Sequence, residues 1–186
     1  MLFKPWRGKL RPMLALLVHV LIASASAFSF QAQDLITHRE ITFPSPKAKV
    51  TVVAFLSAKC PCSGSHEASL DQLAKIYHAK GYAFVGVHAN QDESVEMATQ
   101  HFKKSALSFP VVQDVGAKIA DELKALKTPH VFVFENDKVV FAGGVDDSAD
   151  ASRAKKFYLK NALAEIDAGK PVMVANARAL GCFIKR

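Results

Sequence analysis

Apolar residues along this chain fall into short blocks that switch between two periods. Val50–Leu56 (VTVVAFL) is a β-branched apolar run, the pattern of a buried core strand. Behind it, Leu70, Leu73, Ala74 and Tyr77 recur at i, i+3, i+4 and i+7. That spacing predicts a helix over roughly 65–80 with one apolar face, and Gly81 stands where a C-cap glycine belongs. Tyr82–His88 (YAFVGVH) predicts a second strand, buried on both faces. A helix over 94–104 follows, with Val95, Ala98 and Phe102 inward, then a short strand at 109–113 and a short helix at 117–123. His130–Glu135 (HVFVFE) and Lys138–Gly143 flank Asn136-Asp137, the signature of a hairpin. A helix over 152–168 places Leu159, Ala162, Leu163 and Ile166 on one face. Ahead of the core, Ile36–Phe43 alternates weakly and predicts an edge strand, broken by the PSPK segment at 44–47.

Strands alternating with helices predict an α/β domain with a mainly parallel central sheet, helices on both faces and a C-terminal β-hairpin. Residues 28–49 form a lead-in, 50–170 the domain, and 171–186 a tail carrying Cys182. The 186 residues suffice for one sizeable core. No internal repeat or second domain is visible.

The first residues belong elsewhere. Lys4, Arg7, Lys9 and Arg11 precede the apolar run Met13–Ile22, and an A-x-A pattern ends at Ala27. This predicts a secretory signal peptide over 1–27. The apolar run is short for a membrane span, so no span is expected once the signal is cleaved. Without that segment the formal charge falls from +7 to +3. A charge of +3, with no dense Lys/Arg run, gives nucleic-acid binding little support. Export also permits disulfides. Three cysteines leave one thiol unpaired in any internal pairing, and three single bridges are open.

Cys60 and Cys62, separated by Pro61, stand where the first core strand hands over to its helix. Helix N-terminal amides and the helix dipole stabilise a thiolate, the nucleophilic form. Lys59 adds positive charge beside the first sulfur. Free cysteines are commonly small buried hydrophobes. A proline-separated pair at a strand-to-helix junction fits redox or metal chemistry better. Cys60, first after the strand, is the expected attacking thiol, and Cys62 is the nearest resolving thiol. A Cys60–Cys62 bridge closes a small strained ring, and such disulfides are labile and oxidising. The alternative is a soft metal such as Cu(I), held by Cys60, Cys62 and His66, which lies four residues after Cys62. His66 could equally support the thiolate charge. No other ligand cluster is dense enough to predict a cofactor. Asp146–Asp150 lacks the EF-hand pattern and is expected to be a solvated loop and helix N-cap.

The order of elements, the cysteine pair at the junction and Thr128-Pro129 before HVFVF resemble the thioredoxin fold. FLSAKCPCS, YAFVGVHAN, FPVVQD, LKTPHVFVF and GCFIK resemble exported redoxins of the alkyl hydroperoxide reductase/thiol-specific antioxidant family. The resemblance implies a cis-proline at Pro129 packed beside the active cysteine, with Thr128 presenting backbone to bound thiols. It also implies a role for Cys182, either bridging back to Cys60 or Cys62 or serving as a structural cysteine. Two departures stand out. Ser63 occupies the second cysteine position of C-x-x-C. Ser57 matches the hydroxyl position of the peroxiredoxin motif P-x-x-x-[TS]-x-x-C, but Val53 replaces its proline. Copper-delivery proteins of this fold use C-x-x-x-C, which this chain lacks. The expectation is an exported thiol–disulfide oxidoreductase acting on a redox partner protein or on a disulfide or peroxide substrate. Cys60, Cys62, Thr128 and Pro129 form its site, with Ser57, Lys59 and His66 in support. A thiol peroxidase, a copper chaperone and a non-catalytic binding module are the alternatives.

Overall fold

A computed structural model describes Met1 and residues 28–186; the predicted signal segment lies outside the described residues. The strands are β1 (Phe30–Gln33), β2 (Glu40–Phe43), β3 (Val50–Leu56), β4 (Ala83–His88), β5 (Val111–Gln113), β6 (Lys127–Thr128), β7 (His130–Glu135), β8 (Lys138–Gly143) and β9 (Cys182–Phe183). The helices are α1 (Pro61–His78), α2 (Val95–Ser105), α3 (Lys118–Glu122) and α4 (Tyr158–Asp167).

The central sheet runs β5-β4-β3-β7-β8. Its β5, β4 and β3 strands are parallel, and β7 and β8 add an antiparallel hairpin. β3 sits at the centre and is buried at all seven positions. Its side chains alternate between two cores, as strand geometry requires. Val50, Val52, Ala54 and Leu56 pack with Leu70 and Leu73 of α1, Phe102 of α2 and Leu163 of α4. Val53 and Phe55 face the other side, with Phe132, Phe134, Ile119 and Leu123. The hairpin turn is built as its sequence suggests: Asn136 and Asp137 both take positive φ, 47° and 64°, the backbone that lets two residues reverse a twisted strand pair.

Three boundaries differ from expectation, each for a physical reason. The lead-in holds two strands rather than one. β1 and β2 pair antiparallel, and Phe30 packs on Phe43 at 5.5 Å between ring centres, which seals the second core. α1 starts at Pro61, not near residue 65; proline at the first helical position loses no helix hydrogen bond and has the right φ. Cys60 therefore becomes the N-cap, and Cys62 lies inside the first turn. α4 starts at Tyr158 rather than Ser152. Ala151–Arg153 make only a single 3-10 turn, and the Asp147 carboxylate accepts the Lys155 and Lys156 backbone N–H groups, holding the next residues out of helix. The acidic loop ahead of it is not wholly solvated, because Asp146 is buried.

Candidate active site

The N-cap of α1 decides the chemistry of Cys60. Its backbone is extended, so the sulfur turns back over the first turn and accepts the Ser63 N–H at 3.4 Å. The sulfur also donates to the Thr128 carbonyl at 3.2 Å. Thr128 precedes a cis Thr128-Pro129 bond, and β6 pairs with β9 so that Thr128 faces Cys182. Ligand atoms of Cys60, Cys62 and Cys182 all lie within 4.8 Å of one another. They grade from buried Cys60, through half-buried Cys62, to exposed Cys182. All three are free thiols.

The three sulfurs do not ionise alike. Burial pushes the Cys60 thiol up, but hydrogen bonds from Cys182, Thr128 and Ser63 outweigh it, and its pKa falls below the ordinary value. The Thr128 carbonyl accepts from the protonated sulfur, while the buried Thr128 hydroxyl has no hydrogen-bond partner among the described residues. Burial and the neighbouring Cys60 charge push Cys62 up. Cys182 is pushed up to about 12, because its S–H donates to Cys60 and its own charge would sit beside another thiolate. Of the three, Cys60 is therefore the sulfur that ionises most readily.

Behind the sulfur lies a buried polar network. The Cys60 N–H donates to Ser57 Oγ at 3.0 Å. Ser57 Oγ donates to Glu93 Oε1 at 2.5 Å, and the Ala58 N–H to Glu93 Oε2 at 2.7 Å. His88 Nε2 meets the same Oε2 at 3.0 Å. Burial opposes ionisation of Glu93, but these donors win and hold it down to about 2. A carboxylate therefore braces the loop that carries Cys60. Ser63 closes the brace from the helix side, its hydroxyl accepting the Ser57 N–H at 3.0 Å.

The expected site residues divide accordingly. Cys60, Cys62, Thr128, Pro129, Ser57 and Cys182 come together. Lys59 points its ammonium to the Asp92 carbonyl at 2.6 Å. His66 does not face the thiols. Its Nδ1 meets the Cys62 carbonyl at 2.6 Å and its Nε2 meets Asp146 at 3.1 Å. The third group near the two cysteines is the Cys182 sulfur, not an imidazole. Glu93 escaped sequence reasoning, since it reads as one more polar residue before a helix. Its nearest signal was the pairing of His88, at the end of an apolar strand, with an acid five residues on. A cleft of about 100 Å³, lined by Ser57, Lys59, Cys60, Asn90, Glu93 and Cys182 among others, opens over the sulfur.

Comparison with known proteins fits this geometry. A solved structure of an uncharacterised conserved protein from Geobacillus kaustophilus is similar at 26% identity and TM-score 0.78, over 86% of this chain and 89% of that one. A hypothetical protein from Sinorhizobium meliloti 1021 shares 24% identity at TM-score 0.76, over 86% and 91%. A secreted disulfide oxidoreductase of Mycobacterium tuberculosis shares the fold at 22% identity and TM-score 0.52, over 59% and 79%. No curated protein matches the chain. The redoxin family model matches residues 23–157. That span runs from ahead of β1 to the edge of α4 and holds the Cys60 junction, so the chain belongs to the redoxin family, an oxidoreductase on a thioredoxin-like fold.

Proposed function

We propose that this redoxin is an exported thiol–disulfide oxidoreductase in which Cys60 is the nucleophile and Cys182 or Cys62 resolves it. The observation that carries the reading is the sulfur cluster at the helix N-cap: a buried Cys60 with lowered pKa, and two thiols with raised pKa within 4.8 Å of it. Cys60 thiolate attacks one sulfur of a client disulfide; that bond breaks and the other client sulfur leaves as thiolate. Cys60 is then neutral in a mixed disulfide, so the charge that held the two neighbours protonated is gone. One of them deprotonates and attacks the Cys60 sulfur, releasing the second client thiolate. The product is a disulfide within the chain, which a thiol partner must reduce. Run backwards, the same steps oxidise a dithiol client. Export is supported by the basic, apolar and A-x-A segments of residues 1–27. Among the described residues no helix is long and apolar enough to cross a membrane.

Cys60→Ser abolishes disulfide exchange with a model disulfide; an unchanged rate sinks the reading. Cys182→Ser and Cys62→Ser separate the resolving roles, because the variant lacking the true resolving thiol accumulates the Cys60 mixed disulfide, visible by mass spectrometry. A second reading, capture of Cu(I) as a delivery protein, is favoured by the sulfur cluster itself. Three sulfurs about 2.3 Å from a shared ion need only a small contraction from their present spacing. Stoichiometric Cu(I) binding that is lost in Cys182→Ser, with no exchange activity, favours that reading over the first.

A further inference from the structure

Cys60 is only 5% exposed, and part of its cover is the chain's own C-terminus. Residues 181–186 cross the site as an extended strap stitched on both sides. On one side β9 pairs with β6, and the Ile184 N–H donates to the Leu126 carbonyl at 3.0 Å. On the other, the Gln91 N–H donates to the Lys185 carbonyl and the Lys185 N–H to Asn90 Oδ1, both at 2.8 Å. Between the stitches the Ile184 side chain is buried in the second core. Gly181 passes so close that a Cβ there would lie 2.0 Å from the Thr128 carbonyl oxygen.

These contacts describe a slot for an extended chain. Its walls offer backbone groups, which bind any sequence, and three positions that select side chains. The first admits only glycine, the second seats a sulfur beside Cys60, and the fourth seats an aliphatic side chain in the core. β6 and β9 are two residues each, and so short a pairing is marginal alone. The last residue adds bonds from the Arg186 side chain to Asp121 and to the Ala125 carbonyl, yet a segment with one buried side-chain anchor opens more cheaply than the fold as a whole.

We propose that the tail is an intrachain stand-in for the client. A partner polypeptide presenting an extended Gly-Cys-x-aliphatic segment, its cysteine in a disulfide, displaces residues 181–186, pairs with Lys127–Thr128 and sets its sulfur against Cys60. This rests on the oxidoreductase reading above and names the class of substrate. In the closed chain the strap shields the thiolate from small oxidants and from unmatched disulfides. When it lifts, Cys182 leaves with it. It returns to resolve the mixed disulfide as the partner departs.

The test uses the full chain and Ile184→Asp, which keeps all three cysteines and unseats the anchor. The probes are a peptide containing Gly-Cys-Phe-Ile, its cysteine bonded to thionitrobenzoate, and a control with Val and Asp in place of Gly and Ile. Cys60 thiolate displaces the thionitrobenzoate anion, which is coloured, and mass spectrometry confirms the Cys60 adduct. We expect the matched peptide to react at least about tenfold faster with Ile184→Asp than with the natural chain, and faster than the control peptide. Equal rates in both chains, or no preference between the peptides, overturn the slot even if exchange proceeds. No Cys60 adduct with any peptide or with a small aromatic disulfide overturns the oxidoreductase reading itself. Should Ile184→Asp fail to fold, Gly181→Ala drives a methyl into the Thr128 carbonyl and carries the same expectation.

Discussion

Two buried histidine–carboxylate pairs flank the thiols, alike in geometry and different in consequence. His66 meets Asp146 at 3.1 Å and His88 meets Glu93 at 3.0 Å, and all four side chains are almost wholly buried. His66 is held between the Cys62 carbonyl and Asp146, and Asp146 accepts the Ser148 N–H. That pair ties the first turn of α1 to the loop after β8 and ends there. His88 lies between Gln113 and Glu93, and Glu93 goes on to Ser57 and Ala58. Ser57 in turn holds the Cys60 N–H. The first pair is a fastener; the second reaches the reacting sulfur's own backbone through two hydrogen bonds. The same residue types do different work because their second partners differ.

The largest break of this comparison is Glu93→Gln. Three donors, from Ser57, Ala58 and His88, converge on two carboxylate oxygens. An amide keeps one acceptor and turns an NH2 toward a donor. Leaving buried donors without their charged acceptor costs about 3 kcal/mol, measurable by urea unfolding at pH 7. The acid limb changes too. Glu93 is held down to about 2, so its contribution is present above its unfolded pKa near 4.5 and is lost as pH falls from there toward 2. In Glu93→Gln that loss disappears, and Cys60 alkylation departs from the natural pH profile because Ser57 is released. Asp146→Asn is the matched, smaller break. It leaves a buried imidazole with one weakened partner, at about 2 kcal/mol, and Cys60 alkylation follows the natural pH profile. A shifted profile in Asp146→Asn would erase the distinction between fastener and brace.

The contrast also shows what the sequence makes legible. β3, the β7–β8 hairpin and α2 could be read locally, because apolar alternation, turn chemistry and helical spacing act over a few residues. Pro61 carried a readable sign that α1 begins at once, yet the apolar stripe from Leu70 to Tyr77 drew the expected start four residues late. The cysteine junction was legible for the same local reason. The brace was not. Glu93 lies 36 positions from Ser57, and nothing near either residue announces the other. Asp146 was expected in solvent because its run is acidic, but its partner His66 is 80 positions away. The strap over the sulfur depends on Cys182 meeting Thr128, which lies far from it along the chain. Local pattern gives elements; the site is made by pairings between distant ones.

The smallest effect sharpens the acid comparison by clearing a neighbour from it. His130, at the start of β7, stacks against Phe132 at 4.6 Å and is lowered to about 4 by burial. A base lowered in this way stabilises the fold above its unfolded pKa near 6.5, and that stability is lost as pH falls from 6.5 toward 4. Its window therefore lies above that of Glu93. Solvent reaches His130 in part, which reduces the expected effect to about 1 kcal/mol at pH 5. His130→Phe keeps the ring on Phe132 and forgoes one weak acceptor for the Leu126 N–H at 3.4 Å. In urea titrations it flattens the stability curve between pH 6.5 and 4 and leaves the fall below pH 4.5 in place. Combined with Glu93→Gln, both limbs flatten. If His130→Phe instead removes the lower limb, the acid sensitivity belongs to β7 and not to the carboxylate bracing Cys60.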